Sequence, residues 1–74
     1  MKKEWAYSWH PPVVRAGEAV IFTNHHGRRV TGQARRIETW YGRDGIAHHS
    51  YGVVQTGHTN AQWVGDGSLE PERA

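Results

Sequence analysis

Leucine is almost absent from this chain, and that shortage limits what the chain can fold into. Its 74 residues include one Leu and one Met, whereas four Trp, three Tyr and one Phe supply much of the large apolar volume. A bundle of amphipathic helices needs long apolar stripes that this stock cannot provide. Nine Gly and three Pro favour short strands joined by tight turns. The composition therefore predicts an all-β protein.

The length of the chain allows one domain with one small core. There is no Cys, so no disulfide can reinforce that core, and this absence is typical of an intracellular protein. The Met-Lys-Lys start is not followed by the apolar segment of a signal peptide. No apolar run approaches the roughly 20 residues of a membrane-spanning helix. We expect a cytoplasmic protein with no membrane partner.

Hydrophobic alternation divides the chain into an aromatic N-terminal arm at residues 1–14, a domain at residues 15–71 and a frayed tail at residues 72–74. In the arm, Trp5, Tyr7 and Trp9 lie on one face of a predicted strand over residues 4–10. Three exposed rings need a surface to cover them, so these residues are the candidate partner interface.

Turn residues divide the domain into short strands. Further strands are predicted at residues 19–23, 28–41, 51–55 and 61–64, followed by a 3₁₀ turn at residues 65–68 and a closing segment from Leu69 to Pro71. Residues 46–49 are expected to be irregular. Both faces of the 19–23 strand are apolar, which predicts cover on both sides, and Tyr51, Trp63 and Leu69 are expected in the core.

The long second strand changes parity along its length. Its apolar positions are even-numbered up to Ala34 and odd-numbered from Ile37 onward. Because side chains alternate strictly along a strand, one extra residue must be inserted between the two parts. We predict a β-bulge near Arg35 and Arg36, and a sharp bend of the sheet there.

Four short strings in residues 15–71 resemble SH3-like small barrels of the KOW and Tudor-like kind. They read Gly17-Glu18-x-Val20, Thr31-Gly32-Gln33, Tyr51-x-Val53 and Ser68-Leu69-Glu70-Pro71. The resemblance implies a five-stranded SH3-like barrel with a short 3₁₀ turn before the last strand. Barrels of this kind serve many unrelated functions, so the resemblance implies a fold and no particular role.

The chain is also similar to the plasmid-borne type II dihydrofolate reductases, short SH3-like barrels that work as homotetramers around a central pore. The shared strings are Gly17-Glu18-x-Val20, Gly32-Gln33, Trp40-Tyr41, Tyr51-x-Val53 and Gln62-(x6)-Leu69-Glu70. In that family a Gln-Ile-Tyr triplet lines the pore and a Lys on the first strand supports it. Here the alternative pore residues are Gln62, Trp63 and Val64, and the first strand carries Phe22 and no Lys. These changes would alter the nicotinamide- and folate-binding surface.

The second strand is rich in arginine, and the first half of the domain is basic. Six Arg and two Glu give residues 15–43 a net charge of +4, whereas residues 44–74 carry −3. Arginine neutralises phosphate and aromatic rings stack on bases, so this strand is a candidate surface for nucleic acid or another anion. The candidate residues are Arg28, Arg29, Arg35, Arg36 and Trp40. The competing interpretation is an ordinary strand with a solvated arginine face.

Six histidines are many for a chain of this length, but their spacing does not predict a metal site. Zinc needs three or four convergent ligands, and adjacent histidines on an extended chain point to opposite sides. Solvent-facing loop histidines are the expected arrangement. No nucleophile elbow, phosphate-binding glycine loop or Cys nucleophile is present, so no catalytic residue, metal or cofactor is predicted.

The function expected from the sequence is therefore a small non-catalytic binding or adaptor module that contacts nucleic acid or a protein partner through the arginine-rich strand. A homo-oligomer is compatible with the split between a basic and an acidic half. The alternatives are the pore enzyme just described and a structural subunit that attaches to a larger assembly through its aromatic arm.

Overall fold

A computed structural model describes residues 9–72 and confirms an all-β protein with five antiparallel strands and a 3₁₀ turn before the last strand. The elements are β1 (Ala19–Thr23), β2 (Arg29–Tyr41), β3 (Ala47–Gln55), β4 (Ala61–Gly65), the 3₁₀ turn (Asp66–Ser68) and β5 (Leu69–Pro71). Within residues 9–72 there is no helix of the length and apolarity that a bilayer crossing requires.

The five strands form one sheet in the order β4-β3-β2-β1-β5. The turn between β1 and β2 ends at Gly27, whose φ of 82° places it in the left-handed region where glycine is favoured. In the described part of the chain β4 and β5 do not pair with each other, so closure of the sheet into a barrel stays a prediction. The predicted arm strand lies mostly outside the described residues, and its last two residues, Trp9 and His10, are not in a strand.

The predicted β-bulge is confirmed at Arg35. Ala34 pairs with Val53 and Arg36 pairs with Gly52, so Arg35 stands between two pairs without a cross-strand partner. Ala34 is buried, Arg35 and Arg36 are both exposed, and Ile37 is half-buried. The bulge therefore keeps both flanking apolar residues on the core side and puts two consecutive arginines on the other.

The core lies on one face of the sheet and is built from small and branched residues around two rings. Its buried members are Val14, Val20, Phe22, Ala34, Tyr51, Val53 and Leu69, with Val30, Ile37 and Val64 packed against them. Tyr51 and Leu69 are in the core as expected. The prediction for Trp63 is wrong: its side chain is 50% exposed, because Trp63 pairs with Gly52 on the outer face while Val64 pairs with Tyr51.

Three further predictions are corrected by the structure. Residues 47–49 are not irregular, since β3 begins at Ala47, and His49 is buried within it rather than solvent-facing. Its neighbour His48 is half-exposed, as alternation along a strand requires. β1 is covered on one face only, because Ala19 is exposed and Ile21 is half-buried.

Gly32 of β2 is required by close packing. A Cβ at Gly32 would lie 2.8 Å from Cε1 of Phe22 and would collide with the Val54 carbonyl oxygen. Gly32→Ala should therefore lower the free energy of unfolding by about 3 kcal/mol in urea denaturation. The control is Gly67→Ala, where a Cβ meets nothing within 4 Å, and which should change that free energy by no more than about 0.5 kcal/mol. Equal stability of the two variants would contradict the packing at Gly32.

Candidate functional site

Strands β2, β3 and β4 expose arginine and tryptophan side chains on the face of the sheet opposite the core. The central row consists of Arg36, Gly52 and Trp63, which are paired across the three strands. A Cβ at Gly52 would lie 3.4 Å from Arg36 Cβ and 3.4 Å from Trp63 Cη2. The edge of the Trp63 indole therefore lies over the glycine, on the same face as the Cβ of Arg36, while the ring stays half-exposed.

A second indole lies further along β2. Trp40 is 53% exposed and stacks on the ring of His48, with centroids 4.6 Å apart and planes 20° from parallel. His48 Nε2 lies 3.6 Å from Asp44 Oδ1 in the preceding turn. The hydrogen bond from the Ile46 backbone N–H, together with the nearby His48, lowers the pKa of Asp44. This arrangement fixes the stack at one end of the exposed face.

We call this surface the Trp–Arg face and define it by its five exposed or half-exposed side chains. Its members are Arg35, Arg36, Trp40, His48 and Trp63. Among residues 9–72 neither Arg35 nor Arg36 has an ion-pair partner. The face therefore combines two solvated guanidinium groups with two indole rings.

The other two candidate arginines lie at the far end of β2. Arg28 is exposed in the turn, where its backbone N–H donates to Asn24 Oδ1 at 3.0 Å. Arg29 Nη1 donates to Thr23 Oγ1 at 3.1 Å, and its Nη2 lies 3.4 Å from Glu70 Oε2. Arg29 is thus engaged with β1 and β5, and residues 30–34 of β2 separate this pair from Arg35 and Arg36.

A polar network on the core side attaches the segment before β1 to β3 and the 3₁₀ turn. Tyr51 is fully buried, and its hydroxyl accepts from the Val13 backbone N–H at 3.0 Å and donates to Asp66 Oδ1 at 2.5 Å. The other carboxylate oxygen of Asp66 lies 3.2 Å from His10 Nε2. We call the network formed by His10, His49, Tyr51 and Asp66 the clamp.

His49 completes the clamp from β3. Its Nε2 donates to the His10 carbonyl oxygen at 2.7 Å, because a carbonyl can only accept, and its Nδ1 lies 2.8 Å from Thr39 Oγ1. In the neutral ring the Thr39 hydroxyl therefore donates to Nδ1. Both ring nitrogens are satisfied and the side chain is only 3% exposed, so His49 is an internal support of the fold.

The clamp shifts the titration of its own members. Burial and the hydrogen bond donated to Asp66 raise the pKa of Tyr51 to about 12. Burial alone would raise the pKa of Asp66, but the hydrogen bonds from Tyr51 and His10 outweigh it and hold that pKa below its ordinary value.

The three alternative pore residues do not share one surface. Gln62 is half-buried, donates to the Thr23 carbonyl oxygen at 3.3 Å and lies 3.4 Å from His25 Nδ1. Val64 packs against the core and Trp63 points to the opposite side.

Gln62 and His25 also line a cavity of about 210 Å³, with His26, His58, Asn24 and Asn60 among its other walls. No group of residues in the described range 9–72 is arranged to hold a metal ion.

Of the predicted partner interface, Trp5 and Tyr7 lie outside the described residues. Trp9 is 59% exposed and contacts His49 edge-on, with ring centroids 6.4 Å apart. The clamp therefore holds this ring beside β3.

The sequence interpretation missed Trp63 and His48 as members of the exposed face. A signal for Trp63 was present in Gly52, because a glycine within an apolar strand marks a place where another group approaches closely. His48 was detectable from alternation with its buried neighbour, once β3 is extended back to Ala47.

Comparison of the chain with protein-family models, with curated proteins and with solved structures found no match to any of them.

The raised pKa of Tyr51 predicts a loss of stability in alkali. The unfolded tyrosine ionises near pH 10.0 and the folded one near 12. The protonated Tyr51 hydroxyl therefore contributes fully to the free energy of unfolding below pH 10.0, and this contribution is lost as the pH rises to about 12. Tyr51→Phe should remove this part of the pH dependence, together with a tyrosinate absorbance change near pH 12. If the free energy of unfolding depends on pH in the same way for wild type and Tyr51→Phe between pH 10.0 and about 12, the burial of the Tyr51 hydroxyl is contradicted.

The lowered pKa of Asp66 predicts a loss of stability in acid. The unfolded carboxyl takes up its proton near pH 3.8 and the folded one at lower pH. The ionised Asp66 carboxylate therefore contributes to the free energy of unfolding above pH 3.8, and this contribution is lost as the pH falls through the folded pKa. Urea denaturation between neutral pH and acid should show a shallower decline for Asp66→Asn than for wild type. Glu72→Gln, which removes an exposed carboxylate outside the clamp, should keep the wild-type slope.

Proposed function

We propose that this chain is a small module that binds single-stranded nucleic acid through the Trp–Arg face of an SH3-like barrel. The observation that carries the proposal is the row of Arg36, Gly52 and Trp63 across three strands. It puts an exposed arginine and the half-exposed indole of Trp63, whose edge lies over Gly52, in one row on the same face of the sheet. Those are the two groups that a single strand needs, one for the phosphate and one for the base.

Stacking supports this proposal on energetic grounds. The indoles of Trp40 and Trp63 are each about half-exposed, and both lie on the outer face although the core formed by residues 9–72 contains only two large rings. Base–aromatic stacking contributes about 1–3 kcal/mol per base and tolerates every sequence, because each base has a π-face. Bases in a duplex are already stacked on each other, so an exposed sheet face of this kind favours single strands.

Electrostatics support the same ligand. Arg35 and Arg36 project together because of the bulge, and neither is paired with a carboxylate among residues 9–72. Guanidinium groups bind phosphate through two parallel hydrogen bonds and also stack on bases. A protein partner would need a large apolar patch to pay for desolvating these charges, and the exposed indoles are separated by polar residues.

The proposal is tested by anisotropy of a labelled mixed-sequence single-stranded oligonucleotide. Trp63→Ala should weaken binding about tenfold through lost stacking. Arg36→Ala should weaken it at low salt and reduce the slope of log affinity against log salt by about 0.7, the value for one phosphate contact on a single strand.

The matched controls are Trp9→Ala and Arg15→Ala, which remove an exposed indole and an exposed arginine outside the Trp–Arg face. Both should bind as wild type does. If Arg15→Ala and Arg36→Ala weaken binding equally, or if a duplex competes better than the single strand, the proposed interface is wrong. Binding of NADPH by a tetramer that ignores oligonucleotides would favour the pore enzyme instead.

A further inference from the structure

One row of residues separates the two indoles of the Trp–Arg face. Glu38 of β2 pairs with Ser50 of β3, and Ser50 pairs with Gly65 of β4. This row lies between the Trp40–His48 stack and the row that contains Trp63. All three of its members point away from the core, since Ile37, Tyr51 and Val64 occupy the core-facing positions beside them.

The row of Glu38, Ser50 and Gly65 lies midway between the rows that carry the two indoles. Strand rise and strand spacing put the Cα atoms of Trp40 and Trp63 about 16 Å apart, four residues along the sheet and two strands across it. A Cβ at Gly65 would meet nothing within 4 Å, so the floor is open at that end. A strand stacked on both indoles must therefore cross Ser50, with Glu38 on one side of it and Gly65 on the other.

The hydrogen-bonding groups of this row favour some bases over others. Glu38 is exposed and, in the described part of the chain, has no ion-pair partner. An ionised carboxylate only accepts hydrogen bonds, and it offers two oxygens side by side. Its ideal partner is an edge with two adjacent N–H donors, because such a pair gives two parallel charge-assisted bonds.

Only guanine offers that edge among the four common bases. Its Watson–Crick side carries N1–H next to the N2 amino group, and single strands expose this side to proteins. Adenine and cytosine present one amino group beside a ring nitrogen that accepts, and uracil presents one N–H between two carbonyl oxygens. A carboxylate therefore repels part of each of those three edges.

From this geometry we infer that Glu38 selects guanine at the position between the two indoles, with its carboxylate accepting from N1–H and N2–H. The inference rests on the proposed function, since it needs a strand on the Trp–Arg face. A carboxylate beside Arg36 weakens phosphate binding for every sequence. Glu38 consequently reduces affinity for strands without guanine and raises it for a strand that places guanine at this position.

The test uses short RNA strands that cannot fold: UUGUU, UUIUU with inosine at the centre, and UUUUU. Wild type should bind UUGUU about tenfold more tightly than UUUUU, the usual discrimination of one bidentate contact. Inosine keeps N1–H and lacks the N2 amino group, so UUIUU should fall between them. Glu38→Gln should bind UUUUU more tightly and UUGUU more weakly than wild type does.

The matched control is Glu72→Gln, which removes an exposed carboxylate outside the face and should preserve the preference for guanine. Equal affinity of wild type for UUGUU and UUUUU, with Trp63→Ala still weakening binding of both about tenfold, would overturn the role of Glu38 and leave the proposed function standing. Glu38→Gln and Glu72→Gln raising the affinity for all three strands alike would also overturn it. Failure of wild type to bind any of the strands would overturn both proposals.

Discussion

The β-bulge at Arg35 determines which side chains of β2 face the core and which face away from it. Arg36 pairs with Gly52 and Ala34 pairs with Val53, so Arg35 is left between the two pairs. Without the extra residue, the part of β2 beyond Ala34 would turn its apolar side chains to solvent. With it, Ile37 returns to the core and two arginines project outward from one point. The same local irregularity thus completes a small core and concentrates positive charge on the opposite face.

The register of β3 links the core to the exposed face. Tyr51 faces inward, where its hydroxyl joins the clamp, and Gly52, the next residue, faces outward under Trp63. Because adjacent residues of a strand point to opposite sides, the order Tyr-Gly fixes both at once. The clamp holds β3 against the 3₁₀ turn and the segment before β1. It therefore supports Gly52, over which the edge of the Trp63 indole lies.

Local patterns in the sequence were sufficient to predict β1, β2, β4, the second half of β3, the 3₁₀ turn and the bulge, because alternation and turn residues express them directly. They were not sufficient for Trp63, since the face that it occupies depends on how β4 pairs with β3. Val64 takes the core position beside Tyr51, and a count of apolar residues in β4 cannot choose between the two neighbours. His49 was missed for another reason: its parity with Tyr51 predicts an inward position, but its partners Thr39 and His10 are distant in sequence.

Backbone and side-chain N–H spectra of the ¹⁵N-labelled protein, titrated with a short single-stranded oligonucleotide, test the central claim most directly. The indole N–H signals of Trp40 and Trp63 and the Nε–H signals of Arg35 and Arg36 should move together in proportion to saturation. The indole signal of Trp9, which lies outside the Trp–Arg face, should stay in place. Shifts confined to the clamp or to the cavity beside His25, with both indoles of the face unmoved, would contradict the account.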